Sequence, residues 1–305
     1  MNHYVPEGEL ILTQENLIHT SSAAGMLTAY RQGMILEGKA KLCTSDHDLI
    51  VELPCGVGII PREEGAVGIR EGITRDIALI SKVGKSVCFK ITAIKTEGEE
   101  IRYLLSRREA QLECMEHYIS SLKSGDIIPA RVTHLEKFGC FVDIGCGIPS
   151  LIPIDSISVS RISHPNDRFY NGQLIKAVVK GFDGQKILLS HKELLGSWEE
   201  NAARFEAGQT VSGIVRSIEE YGIFVELTPN LAGLAELREG VSTGQTAGVF
   251  IKAIIPEKMK IKLIIIDVFD DPNFPAPLTY FPEGDHIDSW IYSTEQSGKS
   301  ISTYF

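Results

Sequence analysis

The sequence predicts an all-β chain of tandem five-stranded closed barrels, three repeats with the first degenerate, joined by short α-helices. Three observations predict it. Thirteen residues from Val132, VTHLEKFGCFVDI, recur 83 positions later as VRSIEEYGIFVEL from Val215, and internal repetition outweighs any single motif. Within each copy, residues alternate in character with a period of two, the mark of a strand with one buried face. Further short apolar runs with glycine at the bends follow each copy, enough for five strands in roughly 70 residues.

Taken in chain order, residues 1–32 form an N-terminal helical segment, with a helix over 14–32 ended near Gly33. Residues 33–106 form the degenerate barrel. A shift of 92 sets Gly125 on Gly33 and residues 151–153 on 59–61, and a strand pair follows at 86–94 and 101–105. Its aromatic positions are Asp46 and Leu49, and no Phe-Gly survives. Residues 107–123 read as a linker helix, with Leu112, Met115, Ile119 and Leu122 at helical spacing. Cys114 and His117 sit one helical turn apart but lack two matching metal ligands, so they read as plain helix residues.

The second barrel spans 124–191, with a short strand at 150–154, a long loop, and a hairpin of 173–182 with 186–190 around Asp183-Gly184. A second linker helix covers 192–207, where Trp198 packs against a barrel in preference to serving as a base-stacking platform. The third barrel spans 208–266, and its strands at 244–255 and 260–266 turn at 256–259. The tail, 267–305, is proline-punctuated at first. It then reads as a hairpin turning near 296–299, whose Trp290, Tyr292, Tyr304 and Phe305 pack on the third barrel.

The repeated strand carries the functional signal. Val142 and Ile144, like Val225 and Leu227, must take the inner parity, because Asp143 and Glu226 cannot sit unpaired in a core. Phe141 and Phe224 then point outward. Gly139 and Gly222 mark a sharp turn or bulge that brings Phe138 and Tyr221 onto the same exposed surface.

Composition excludes other classes. The chain has 305 residues, 43% hydrophobic and 23% charged, ordinary for a soluble globular protein. No apolar run approaches the ~18 residues of a membrane span, and no secretory signal is expected at the start. Six cysteines without zinc-like spacing read as reduced thiols, which points to the cytoplasm and implies neither metal nor cofactor. The net charge of −10 is concentrated in residues 267–305, where seven acids face one lysine. Residues 124–193 hold eight Lys and Arg against seven acids, so nucleic-acid binding there must rest on stacking more than on a basic field.

The two good copies resemble the S1 RNA-binding domain, the OB-fold barrel of bacterial ribosomal protein S1. The matching pieces are GDIIPARVTHLEKFGCFVDI, SLIPI and GQLIKAVVKGFDGQKILLS, then GQTVSGIVRSIEEYGIFVEL, LAGLAEL and GQTAGVFIKAI. The join LLSRREAQLE also looks like the helices between that family's repeats. The resemblance implies that single-stranded RNA crosses a face made by two aromatics, a histidine, an aspartate and a basic residue. Phe138 and Phe141 match the aromatics of barrel two, with Asp183 and Lys186 at the acidic and basic places. Tyr221 and Phe224 match in barrel three, with Glu257 and Lys260 roughly at those places. Pro153 and Glu236 stand where the family has histidine, and in barrel one only Arg102 matches. Lys137, Arg131 and Arg216, with Lys186 and Lys260, are expected near the surface to neutralise phosphates.

The function expected is therefore binding of single-stranded RNA (mRNA) in translation, with residues 33–106 contacting proteins of the small ribosomal subunit. The alternatives are a free RNA-binding factor in RNA turnover or regulation, and a scaffold whose barrels bind only protein. An RNA-processing enzyme is disfavoured, since the segments outside the barrels are too short for a catalytic domain and no nucleophile elbow or phosphate loop stands out.

Overall fold

The computed structural model describes residues 4–97, 100–184, 186–270 and 278–305. Fifteen of its strands close into three barrels of five. Two helices come first, α1 (Gln14–Thr20) and α2 (Ala23–Gln32). The single helix expected over 14–32 is thus broken, because Ser22 turns extended and caps α2 by accepting the Gly25 N–H. Gly33 ends α2 at φ +63°, a left-handed cap that suits glycine.

Barrel one follows as β1 (Leu36–Cys43), β2 (Leu49–Leu53), β3 (Gly56–Ile60), the short α3 (Ile77–Ile80), β4 (Ser86–Glu97) and β5 (Glu100–Ser106). Its order is β1-β2-β3-β5-β4, closed by β1 against β4, with β3 and β5 parallel. Leu49, one of its two former aromatic positions, is fully buried in the core, so this barrel shows no ring pair there. Next comes α4 (Arg107–His117), then barrel two: β6 (Ile127–Glu136), β7 (Gly139–Asp143), β8 (Pro149–Pro153), β9 (Leu174–Asp183) and β10 (Lys186–Ser190). The short α5 (Trp198–Ala202) leads to barrel three: β11 (Thr210–Glu219), β12 (Gly222–Thr228), β13 (Leu231–Ala235), β14 (Thr246–Ile255) and β15 (Lys260–Phe269). Both later barrels repeat the strand order of the first. The chain ends in a two-stranded ribbon, β16 (Ser289–Ile291) with β17 (Ser302–Tyr304).

Two compact units emerge, one of residues 1–122 with 129–131 and 143–149, the other of the remainder. In the first, α4 buries Arg107, Ala110, Gln111 and Cys114, whereas Leu112 is 38% exposed. This corrects the apolar stripe expected at Leu112, Met115, Ile119 and Leu122. The polar face is buried because it is fully engaged. Arg107 Nε and Nη2 donate to Glu7 at 2.6 and 3.2 Å, and Gln111 accepts the Val67 N–H and donates to the Cys146 carbonyl. Lys82 donates to the same Glu7 at 2.7 Å, and Arg107 and Lys82 hold that carboxyl at about 2 against the cost of its burial.

The second unit is fastened by the loop between β8 and β9 and by the tail. Ser160 N–H donates to the Pro229 carbonyl, and Val159 N–H to Asn230 Oδ1 at 2.9 Å. Residues 278–305 cross barrels two and three like a strap. Tyr280 accepts the Lys176 N–H at 3.0 Å, Phe281 packs over Gly196, Trp290 Nε1 donates to the Gly196 carbonyl, and Tyr292 donates to the Asn230 carbonyl at 2.6 Å. Trp290 and Tyr292 join the barrel-three core as expected, while Tyr304 is 74% exposed. The irregular stretch expected after Asp267 falls partly at 271–277, outside the described residues. All six cysteines are free thiols, four of them buried.

Candidate nucleic-acid interface

Each copy of the repeated strand is the second arm of a tight hairpin. In barrel three Glu219 pairs with Gly222, so the connection is the two residues Glu220 and Tyr221. Gly222 has φ +150°, and a Cβ there would lie 2.5 Å from the Ala235 carbonyl oxygen. Gly139 faces the same obstacle, a Cβ 2.5 Å from the Ile152 carbonyl oxygen. Glycine is needed at both because the third strand of the barrel passes against the backbone.

This geometry sets the rings. Phe138 and Tyr221 stand at the turn, 57% and 69% exposed, while Phe141 and Phe224 lie half-buried on the outer face of their strands. Phe138 and Phe141 meet edge to face with centroids 5.9 Å apart at 88°. Tyr221 and Phe224 repeat this at 6.0 Å and 90°. Two barrels thus present the same T-shaped pair with an open ring at its tip.

The remaining expected residues divide. Lys137, Asp183, Lys186 and Lys260 are exposed, and Lys186 pairs with Asp183 across the β9–β10 hairpin. Glu257 lies in the turn before β15, and Glu236 is exposed. Arg131 and Arg216 do not stand free on the surface as expected. Arg131 pairs with Glu9. Arg216 is 9% exposed, held by Glu226 at 2.9 Å and Asp167 at 3.0 Å, and Arg168 binds the same Glu226.

The carboxylates bring a second correction. Asp143 and Glu226 occupy the outer parity, yet they are only 3% and 6% exposed. Glu226 is covered with its two arginines. Asp143 accepts the Glu7 N–H at 2.7 Å and the Gly145 and Gly147 N–H groups at 2.9 Å. Burial, together with the Glu7 charge, pushes the Asp143 carboxyl up to about 6. Parity was read correctly, but an outward residue is not an exposed one when another segment folds over it.

Two further surface residues escaped the sequence reading. Register lines up Ser217, Phe224, Leu234 and Lys262 across barrel three, so Lys262 stands in the aromatic row and Lys260 one step along. The signal was present, since β15 alternates Lys260 and Lys262 on its exposed parity, but only register chooses between them. In barrel two, His134 is the other. Counting by twos from buried Val132 puts it inside, whereas it is exposed beside Phe141, ring centroids 6.4 Å apart. In barrel three the equivalent break is a bulge between Val215 and Ser217 that sets Ser217 opposite Phe224.

The fold and this surface define a class: a protein of tandem OB-type barrels displaying paired rings of the kind that stack with unpaired bases. The family model of the S1 RNA binding domain matches residues 121–192. That match covers barrel two, so the chain carries an S1 RNA-binding domain there. The chain is 31% identical over 221 residues to a small ribosomal subunit protein bS1 homolog of Bacillus cereus, covering 66% of this chain and 57% of that one. It is 25% identical over 313 residues to the small ribosomal subunit protein bS1 of Rhizobium meliloti, covering 96% and 53%. The chain thus spans little more than half the length of these curated relatives. A solved multidomain protein with nucleic acid binding domains from Streptococcus pneumoniae aligns at TM-score 0.26 and 15% identity, over 77% of this chain and 74% of that one, too distant to argue from. No helix among the described residues is long and apolar enough to cross a membrane, and none of their His, Cys, Asp and Glu clusters could hold a metal ion.

Proposed function

We propose that this protein binds single-stranded RNA through the outward rings of barrels two and three and acts in translation at the small ribosomal subunit. The observation that carries the reading is the duplicated ring pair, Phe138 with Phe141 and Tyr221 with Phe224, built at matching places on two barrels. A ring on a rigid strand stacks with any base, about 1–3 kcal/mol each by alanine substitution. Lys137, Lys186, Lys260 and Lys262 are exposed cations suited to phosphates. Joining two such barrels raises affinity through effective concentration. The relatives named as small ribosomal subunit proteins support the setting, the cytoplasm. Barrel one lacks the ring pair and exposes Ile73, Ile77 and Ile80, which suits contact with subunit proteins. The protein has a binding role and no catalytic one.

Fluorescence anisotropy with unstructured RNA tests the site. Phe138→Ala with Phe141→Ala, and Tyr221→Ala with Phe224→Ala, should each weaken binding by about 30-fold or more while the circular dichroism spectrum is kept. Undiminished affinity in both double variants would defeat the assignment. Co-sedimentation with small subunits from a lysate distinguishes the translational role from a free RNA-binding factor.

A further inference from the structure

Barrel two carries a third ring that barrel three lacks. The imidazole of His134 lies beside Phe141, planes 29° apart, and Phe141 in turn meets Phe138, so three rings run together across the face. Nε2 of His134 is 2.7 Å from Glu136 Oε1, two residues along the same strand. That carboxylate fixes the proton on Nε2 and holds the ring in place, leaving Nδ1 as its other polar edge. The side chain is 61% exposed, and its partner Glu136 is 45% exposed. A side-chain contact this open adds little to stability, so the fold gains little from a histidine here. In barrel three the equivalent residue is Ser217, paired directly with Phe224, and Glu219 is kept while the ring is not.

We propose that His134 is a base-contacting ring of barrel two, extending its stacking surface so that barrel two grips single-stranded RNA more tightly than barrel three. The inference rests on the RNA-binding reading and refines it. A planar ring beside Phe141 offers a further π-face, and Nδ1 offers a hydrogen bond to a base edge.

Three variants of the full chain test it against one unstructured RNA by fluorescence anisotropy: His134→Ser, His134→Phe and Ser217→His. The first should weaken binding about tenfold, the second should recover most of the loss, and the third should strengthen binding several-fold. The NMR resonance of the His134 Cε1 proton should shift on RNA addition, which a merely structural residue beyond contact range would not show. Wild-type affinity in His134→Ser, with Phe138→Ala still weakened, overturns this inference and spares the RNA reading. A weakened His134→Ser whose wild-type resonance ignores RNA overturns the contact. No RNA binding by the unaltered chain overturns both.

Discussion

His191 closes barrel two and is wholly buried, between the edges of Phe169 and Tyr280 at 5.0 and 5.6 Å. Nδ1 lies 2.9 Å from the Ile157 carbonyl and must donate to it, so Nε2 accepts the Tyr280 hydroxyl at 3.3 Å. Burial, with the Arg168 charge nearby, drives the imidazole down to about 4. The unfolded chain takes up this proton near pH 6.5, which the native state refuses until about 4. Stability from this residue is therefore complete above pH 6.5 and lost as pH falls toward 4, by about 3 kcal/mol in all. Both tryptophans, Trp198 and Trp290, lie in the same unit, so urea unfolding followed by tryptophan fluorescence reads this part alone. His191→Phe should flatten the loss between pH 7 and 4.5, and an unchanged slope would contradict the neutral imidazole. Phe138 and Phe141 were legible in sequence because repetition and parity both pointed to them. Arg131 and Arg216 were misread because a cation on an outward strand position reads as solvent-facing. Glu9, Glu226 and Asp167 reach them only through the fold.

At the scale of elements, the two glycines before the repeated strand are the most exacting positions. Gly139→Ala and Gly222→Ala each press a methyl to within 2.5 Å of a backbone carbonyl oxygen that cannot swing aside. Each should cost about 1–3 kcal/mol, seen as a lower urea midpoint, and should weaken RNA binding by displacing Phe138 or Tyr221. A variant as stable as the parent would show that the third strand can yield. Strand positions followed readily from alternation and turn residues. The bulges did not, since a bulge inserts one residue without a compositional mark, and it reverses parity beyond it. In barrel two the buried alternation of β6 likewise breaks after Val132, and that break hid His134. The face of α4 was misread for another reason: its buried side is polar, and hydrophobic spacing cannot report a face whose burial is sustained by Glu7 and the backbone.

In the whole molecule, the acidic end is a structural strap for the second unit. Trp290 is 7% exposed against the barrel-three core, within one cluster with Trp198. Trp290→Ala should cost this unit about 3–5 kcal/mol in urea unfolding. Affinity of the folded fraction for RNA should stay near wild type, because the ring pairs lie elsewhere. A loss of RNA binding without loss of stability would make the strap part of the interface. The ion-paired set of Arg168, Glu226, Arg216 and Asp167, buried at Arg168 and Glu226, fastens the loop after β8 to β11 and β12 within the second unit, which holds barrel three and most of barrel two. Removing one member of such a set is costly, which makes it a device for holding the pair together.

The sequence by itself determined the repeat, the five-strand barrel and the outward rings, because these depend on local periodicity and on a motif written twice. Only the tertiary structure decided which outward charges are covered, which lysine shares the aromatic row, where the bulges fall and what the tail holds. Each of those depends on the segment that packs alongside, and a neighbour distant in the chain leaves no periodic trace in the residues it covers.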